Sequence, residues 1–253
     1  MTDTPRSDAH TEHRSLEGRR VLVTGGSTGI GRAVCVLLAE QGARIVTCAR
    51  SEDSLRDALA RIRDYDERAL GLTADVSEAE DVSRLFGEAS EHLGGLDAVV
   101  VNAGVPAGGL LDESEEDWRY AVATNFTGAL AACAEAGTRM KGAGGDVVIT
   151  GSMSAHRPGG GSSVYAATKA GLHAFAEAFR QEMGEHGVKV SIVEPGKTGA
   201  DLFEHMDDAE MREHIVKEEM LRAEDVAVGV AYVLTQPTRC VVSGLRLEPR
   251  LHV

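Results

Sequence analysis

The sequence is short of positive charge and of long apolar runs. Its 253 residues carry 26 lysines and arginines against 40 aspartates and glutamates, which gives a formal net charge of −14. This negative charge repels polyanions and no basic cluster stands out against it, so we expect no binding to nucleic acid or to an anionic membrane. No apolar run approaches the roughly 18 residues that span a bilayer, which predicts a soluble protein.

Cysteine is scarce, and metal-ligand spacing is missing. Four cysteines are widely separated in apolar runs and form no C-x-x-C pair: Cys35, Cys48, Cys133 and Cys240. Such residues are typical small hydrophobic side chains, and their use fits a reducing, cytoplasmic location. Histidine, cysteine and carboxylate residues nowhere show the spacing of metal ligands along the chain, so the sequence predicts no metal site.

The first seventeen residues, MTDTPRSDAHTEHRSLE, are polar and contain no apolar stretch. This composition predicts a disordered tail over residues 1–17. We interpret residues 18–253 as a single dinucleotide-binding catalytic domain, because single α/β domains reach about 250 residues.

Short apolar runs alternate with longer amphipathic stretches along this domain. The alternation is typical of β-α units around a parallel sheet, and the runs are apolar enough to be buried on both faces. Strands are predicted at 20–24, 44–48, 69–73, 96–101, 146–150, 188–193 and 240–247, and helices at 29–41, 53–64, 78–93, 115–140, 163–186 and 224–235. The predicted fold is therefore a Rossmann-type, doubly wound parallel sheet of about seven strands, flanked by helices on both faces.

Residues 197–219 interrupt this alternation with a polar, charged stretch. Ligands bind beyond the carboxyl ends of the strands in an open α/β sheet, so an insertion after a strand end can close over a substrate as a lid. The alternative is a solvated helical hairpin without that role.

A glycine-rich turn, TGGSTGIG at 24–31, joins the first strand to the first helix. Its glycines permit a tight turn, let backbone N–H groups approach a pyrophosphate and let the helix pack against the strand. The residues predicted to contact a dinucleotide here are Gly25, Ser27, Thr28, Gly29, Ile30 and Gly31.

The second strand ends at TCARS, where the adenosine ribose of a dinucleotide would lie. An acidic residue at this point accepts hydrogen bonds from both ribose hydroxyls, whereas a basic residue can pair with a 2′-phosphate. Ala49 occupies the acidic position, and Arg50 and Ser51 follow as predicted cofactor contacts. The sequence therefore favours NADP(H) and leaves NAD(H) possible; the alternative for Arg50 is a solvated loop arginine.

Tyr165 and Lys169 stand four residues apart in SSVYAATKAG, so on a helix they share one face. A phenol that must exchange a proton near neutral pH needs such a cation, because its ordinary pKa is about 10. An ordinary pair of helix-surface residues is the alternative. Ser152 ends the fifth predicted strand, on the ligand side of the sheet, so the three side chains are predicted to converge.

The sequence contains four further motifs: ADV at 74–76, NAG at 102–104, Asn125 in ATNFTG and EPG at 194–196. In order and spacing they resemble the single-domain branch of the short-chain dehydrogenase/reductase family, over about residues 18–248. The resemblance implies an oxidoreductase that reduces a ketone or aldehyde to an alcohol, or catalyses the reverse reaction, with a role in secondary metabolism as one expectation.

The resemblance also implies roles for four catalytic residues. Tyr165 is the acid/base, and Lys169 lowers the pKa of its phenol and holds the nicotinamide ribose. Ser152 hydrogen-bonds the substrate oxygen, and Asn125 binds a water that links Lys169 to solvent. The further cofactor contacts implied are Asp75, Val76, Asn102, Ala103, Gly104, Pro195, Gly196 and Thr198.

Some positions leave alternatives open. Asp75 can be a charge at a helix start, Asn102 a strand-end cap and Pro195 a loop breaker. Ala200 stands where the family often has a threonine, and Thr198 is the nearer candidate. His156 and the run 157–163 are expected to border the substrate mouth, with a solvated loop as the alternative.

The helices predicted at 115–140 and 163–186 are rich in small residues, and the resemblance implies that they pair in a homodimer or homotetramer. The implied partner is otherwise a small carbonyl or alcohol substrate. Two other functions remain open: an NAD-dependent secondary-alcohol dehydrogenase, and a non-catalytic nucleotide sensor or scaffold on the same fold.

Overall fold

Seven parallel strands form one central sheet. The computed structural model describes residues 13–199 and 208–251. The sheet strands are β1 (Arg20–Thr24), β2 (Arg44–Ala49), β3 (Leu70–Thr73), β4 (Ala98–Val101), β5 (Gly145–Thr150), β6 (Val188–Pro195) and β9 (Gly244–Leu247), and a separate short pair consists of β7 (Thr198–Gly199) and β8 (Leu221–Arg222). The strand order is β3-β2-β1-β4-β5-β6-β9, with parallel neighbours throughout.

Helices cover both faces of this sheet. They are α1 (Gly29–Glu40), α2 (Glu52–Ile62), α3 (Ala79–Leu93), α4 (Glu115–Val122), α5 (Ala129–Met140), α6 (Ser163–Gly184), α7 (Asp208–Val216) and α8 (Ala223–Leu234). Side chains alternate along each strand, so Val21 and Val23 join one core with α1, α2 and α8. Leu22 joins the opposite core with α3, α5 and α6. The predicted doubly wound α/β fold is confirmed.

The helix predicted over 115–140 is divided by a wider, π-helical turn at Ala123–Gly128. Such turns close hydrogen bonds five residues apart and often lie at functional sites. Asn125 is buried in this turn. Gly128 packs against the loop after β3, since a Cβ atom there would collide with the carbonyl oxygen of Val76.

The tail predicted over residues 1–17 differs from the structure at its end, while residues 1–12 lie outside the described residues. Leu16 is only 3% exposed and joins the core on the α1 side. The amide of Arg14 donates to the carbonyl of Thr235 at 2.8 Å, and its guanidinium pairs with buried Asp146 at 2.8 Å. One apolar side chain and one ion pair therefore order residues that their polar composition assigned to a disordered tail.

The segment 197–219 leaves the sheet and returns to nearly the same place. Thr198 pairs with Leu221 and Gly199 with Arg222, so β7 and β8 close the base of the excursion. Helix α7 lies within it, and residues 200–207 are outside the described residues. Its role as a lid stays a prediction.

The last strand is shorter than the predicted 240–247, because residues 240–243 approach β6 without forming a regular ladder. The carbonyl of Cys240 instead accepts a hydrogen bond from the Lys189 ammonium at 3.3 Å. Among the helices of residues 13–199 and 208–251, none combines the length and the apolar character needed to cross a membrane.

Candidate active site

The turn after β1 leaves helical N–H groups without a protein partner. Thr28 precedes α1, yet its side chain makes no capping hydrogen bond, and the first turn of α1 contains no acidic residue. Helix N-termini of this kind attract anions. A Cβ atom at Gly25, where φ is 69°, would lie 2.8 Å from the Cα of Ala103. The backbone of the turn is therefore close-packed, and its Gly26 N–H donates to the carbonyl of Cys48 at 3.1 Å, which leaves the first N–H groups of α1 as the candidates to bind a phosphate.

Asn102 ties this turn to the neighbouring strand ends. Its side-chain amide donates to the carbonyls of Thr24 and Gly25, both at 3.2 Å. Its side-chain oxygen accepts from the hydroxyl of Thr150 at 3.2 Å, and its backbone N–H donates to the Thr24 hydroxyl at 3.0 Å. Asn102 thus fixes the glycine turn relative to β4 and β5.

At the end of β2, Arg50 enters a chain of polar contacts with a residue of α4. Its guanidinium donates to the hydroxyl of Tyr120 at 2.7 Å and lies 5.4 Å from the centre of that ring. The Tyr120 hydroxyl in turn donates to Asp75 at 2.9 Å. The other oxygen of Asp75 accepts from the backbone and the hydroxyl of Ser77.

This network governs the charge of Asp75. Partial burial disfavours its ionised carboxylate, but the hydrogen bonds from Ser77 and Tyr120 and the charge of Arg50 outweigh burial and lower its pKa. Asp75 is therefore an ionised anchor between the second and third strand ends.

Three further side chains meet at the end of β5. Ser152 lies two residues after that strand, and its hydroxyl accepts from the backbone N–H of Ser154 at 3.1 Å. Tyr165 sits in the first turn of α6, and the Ser152 hydroxyl lowers the pKa of its phenol. Lys169 is one turn further along α6, and its ammonium lies 5.6 Å from the centre of the Tyr165 ring. It donates to the carbonyl of Thr150 at 2.9 Å.

The side chains at both ends of this arrangement line one cleft of about 1120 Å³, including Arg50, Tyr120 and Asp75 at one end and Ser152, Tyr165 and Lys169 at the other. Among the predicted site residues, those on its wall are Gly25, Ser27, Thr28, Gly29, Ile30, Gly31, Arg50, Ser51, Asp75, Val76, Asn102, Ala103, Gly104, Ser152, Tyr165, Lys169, Pro195, Gly196 and Thr198. Asn125 is not on the wall of this cleft.

The sequence matches the short chain dehydrogenase family over residues 19–211. The chain belongs to this family. It is 33% identical over 217 residues to the 3-oxoacyl-[acyl-carrier-protein] reductase of Homo sapiens, a match that covers 85% of this chain and 90% of that protein. It is also 32% identical over 240 residues to the glycine betaine reductase ATRR of Emericella nidulans, covering 93% of this chain but only 19% of that much longer protein.

A solved structure repeats the whole fold. A short chain dehydrogenase from Burkholderia cenocepacia J2315, in complex with NADP, matches with a TM-score of 0.82 and 33% identity, over 93% of this chain and 98% of that one. The protein is therefore an oxidoreductase of the short-chain dehydrogenase/reductase family, as its motifs indicated.

Burial controls the catalytic end of this dehydrogenase site. It raises the pKa of the Tyr165 phenol, and the hydrogen bond from Ser152 only partly opposes the shift. It lowers the pKa of Lys169 to about 8, because the residue is only 4% exposed and desolvation disfavours the charged ammonium. The Lys169 ammonium donates to the carbonyl of Thr150, and its role in lowering the phenol pKa, which the family resemblance implied, stays a prediction.

Asn125 is buried and holds the loop after β4. Its side-chain oxygen accepts from the backbone N–H of Val105 at 2.7 Å, and its amide donates to the carbonyl of Val105 at 2.8 Å. Both halves of the side chain are thus engaged in positioning the chain after β4. The water that the family resemblance implies beside Lys169 would therefore have to bind the backbone of this wide turn, because the Asn125 side chain is already engaged.

Two expectations at the substrate end need correction. His156 does not line the cleft; its ring hydrogen-bonds to Glu194 at 2.8 Å instead. Of the run 157–163, only Arg157 reaches the wall. Thr198 lies on the wall and donates to the carbonyl of Gly196 at 2.9 Å, whereas Ala200 is outside the described residues.

Sequence reasoning missed Tyr120, which lines the cleft and joins Arg50 to Asp75. Its position in the family pattern carries no such signal, because the contact forms only when α4 packs beside the ends of β2 and β3. Glu113 and Asp117 also line the cleft and were not singled out.

Proposed function

We propose that this short-chain dehydrogenase is an NADP(H)-dependent enzyme that interconverts a ketone or aldehyde and the corresponding alcohol, with Tyr165 as acid/base. One observation carries the proposal: a single cleft joins the glycine turn and Arg50 at one end to Ser152, Tyr165 and Lys169 at the other. The NADP complex of the Burkholderia relative supports the choice of cofactor.

The cofactor-binding residues follow the cleft from end to end. The unpartnered N–H groups before α1 would bind the pyrophosphate, and Arg50 would pair with the 2′-phosphate. Lys169 uses one N–H on Thr150, so the other two ammonium donors would hold the nicotinamide ribose. Thr198, Pro195 and Gly196 border the same end of the cleft and would contact the nicotinamide.

When bound, the nicotinamide exchanges a hydride with the substrate carbon. Tyr165 gives its phenolic proton to the carbonyl oxygen during reduction, or takes the alcohol proton during oxidation. Ser152 hydrogen-bonds the same substrate oxygen from β5, and in a buried site this stabilisation is stronger than in water. The Tyr165 phenol is protonated at neutral pH, as a donor in the direction of reduction must be, and the charge of Lys169 beside it would ease the transfer of that proton.

The NAD-dependent alcohol dehydrogenase remains the alternative, because Arg50 already has a hydrogen-bond partner in Tyr120. The 2′-phosphate of NADP(H) would then compete with the Tyr120 hydroxyl for the Arg50 guanidinium. The non-catalytic sensor is disfavoured, since nucleotide binding alone needs no serine, tyrosine and buried lysine together beside the cofactor. A homodimer or homotetramer stays a prediction, to be checked by light scattering.

The cofactor assignment is tested by titrating the protein with NADPH and NADH in one buffer, following nicotinamide fluorescence. We expect NADPH to bind at least about tenfold more tightly, about 1.4 kcal/mol. In Arg50→Ala this preference should disappear, while NADH binding stays near its original value.

Arg56→Ala is the matched control, because Arg56 is an exposed arginine of α2 that pairs with Asp53. It should leave both affinities unchanged. Tighter binding of NADH by the original protein, or equal losses for both cofactors in Arg50→Ala, would reject the NADP(H) assignment.

A further inference from the structure

Two histidines and one glutamate meet behind the active-site cleft, on three different elements. His156 follows the turn after Ser152, His173 lies in α6 one turn beyond Lys169, and Glu194 ends the apolar part of β6 just before Pro195. None of the three lines the cleft described above. His173 and Glu194 instead border a separate hollow of about 450 Å³ with Glu177 and Arg246.

Both imidazoles point at one carboxylate oxygen. Nε2 of His156 lies 2.8 Å from Oε1 of Glu194, and Nδ1 of His173 lies 3.0 Å from the same atom. One ligand atom from each residue can be chosen so that all lie within 4.8 Å of one another. Glu194 is only 1% exposed, so its charge is removed from water and depends on these neighbours.

We propose that His156, His173 and Glu194 form a binding site for a zinc-like divalent transition metal ion, separate from the dehydrogenase reaction. Two imidazole nitrogens and one carboxylate oxygen are the donors that Zn²⁺ and Co²⁺ prefer, whereas Mg²⁺ and Ca²⁺ prefer oxygen alone. Three protein ligands leave the fourth tetrahedral position to water.

The contacts of the two imidazoles with Glu194 are close to the spacing that such an ion needs. Ligand atoms of a tetrahedral zinc, bonded at about 2.0–2.1 Å, lie about 3.3 Å apart. The two observed contacts with the Glu194 oxygen, 2.8 and 3.0 Å, would each lengthen by about 0.3 to 0.5 Å. Side-chain rotation is enough for this change, because both histidines are partly exposed.

Arg246 is the competitor for this position. Its guanidinium lies 3.3 Å from Oε2 of Glu194 and 3.3 Å from Nδ1 of His156. In the present hydrogen bonds, Nε2 of His156 donates to Glu194, and Nδ1 accepts from Arg246. A metal on Nε2 displaces that proton, and the neutral ring then carries its proton on Nδ1, where it can no longer accept.

Metal binding therefore requires Arg246 to move away, and its side chain is 54% exposed and free to do so. The metal ion would take the place of the Arg246 guanidinium beside the buried carboxylate of Glu194. It would also join the loop after Ser152, the helix of Tyr165 and the strand before Pro195, and so stabilise the folded state.

The test is equilibrium dialysis of tag-free, chelator-treated protein against ZnCl₂, together with CoCl₂ titration followed by visible absorption. We expect one equivalent of zinc per chain, a tetrahedral cobalt spectrum, and a rise in melting temperature with zinc. His173→Gln should weaken zinc binding at least about tenfold and abolish the cobalt spectrum.

Arg246→Gln should bind zinc more tightly than the original protein, a gain that loss of a merely structural contact would not produce. His214→Gln is the matched control, because the His214 ring also pairs with a glutamate, Glu219 at 2.8 Å, but is not one of the three residues of the cluster. It should leave zinc binding unchanged. No stoichiometric zinc in the original protein, or equal zinc affinity of the original, His173→Gln and Arg246→Gln proteins, would overturn the proposal.

Discussion

The two ends of the cleft use opposite physical means to place their functional groups. At the catalytic end, Lys169 is buried and Tyr165 is half-buried, and desolvation by burial is the largest cause of the pKa shift of each. At the adenine end, Arg50, Tyr120 and Asp75 are partly exposed, and hydrogen bonds lower the pKa of the Asp75 carboxyl despite burial. Strong effects of single substitutions are therefore expected at the catalytic end and graded effects at the adenine end.

Replacing Tyr165 by Phe should give the largest effect, because it should remove turnover at the catalytic end and leave cofactor binding at the adenine end intact. The phenolic proton is lost while the ring remains in place, so turnover should fall by about 10² to 10⁴. NADPH binding, followed by nicotinamide fluorescence, should stay within a few-fold of the original.

Tyr65→Phe provides the control, because Tyr65 is 53% exposed and lies outside the cleft. It should leave turnover unchanged. Full turnover by Tyr165→Phe would remove the proposed acid/base, and a parallel loss of cofactor binding would show that the two ends are not independent.

Burial of Lys169 should appear in the pH dependence of stability. Its pKa is lowered from 10.5 to about 8 in the folded protein, so between these values the unfolded chain binds more protons. Stability should therefore rise with pH across this window, relative to Lys169→Met, by up to about 3 kcal/mol.

The measurement is urea unfolding of both proteins at pH 7, 8, 9 and 10. Below pH 8 the lysine is protonated in both states, so the difference in unfolding free energy should be nearly constant there. A difference that stays flat through pH 10 would mean that the ammonium is solvated in the folded state.

Substituting Tyr120 by Phe should give the smallest effect, at the adenine end. Arg50 and Asp75 each lose one hydrogen-bond partner, and a typical hydrogen bond contributes about 0.5–1.5 kcal/mol. NADPH affinity should fall a few-fold as Arg50 loses its fixed position, while NADH affinity changes little. The pKa of Asp75, measured by carboxyl NMR, should move up towards its ordinary value.

A gain in NADPH affinity in Tyr120→Phe would reverse this interpretation, since it would mean that Tyr120 withholds Arg50 from the cofactor. Tyr232→Phe, at an exposed tyrosine of α8 outside the cleft, should have no effect on either cofactor.

The sequence predicted best where function lies in a contiguous motif. The glycine turn and the Tyr165–Lys169 pair depend on local geometry, a strand-to-helix turn in one case and one helical repeat in the other. Family order added Ser152, which the structure places beside Tyr165. The prediction for Asn125 was less complete, because its engagement with Val105 depends on a wide turn that periodicity does not reveal.

By itself, the sequence determined the doubly wound α/β fold, the family and most of the predicted residues on the cleft wall. Apolar periodicity and short motifs can be read within a few consecutive residues. Only the tertiary structure decided that Tyr120 joins Arg50 to Asp75, that Leu16 packs into the core, and that His156, His173 and Glu194 meet. These contacts join residues from separate elements, so they exist only after the helices have packed on the sheet. The same packing buries Lys169 and partly buries Tyr165, and so sets the direction in which their pKa values shift.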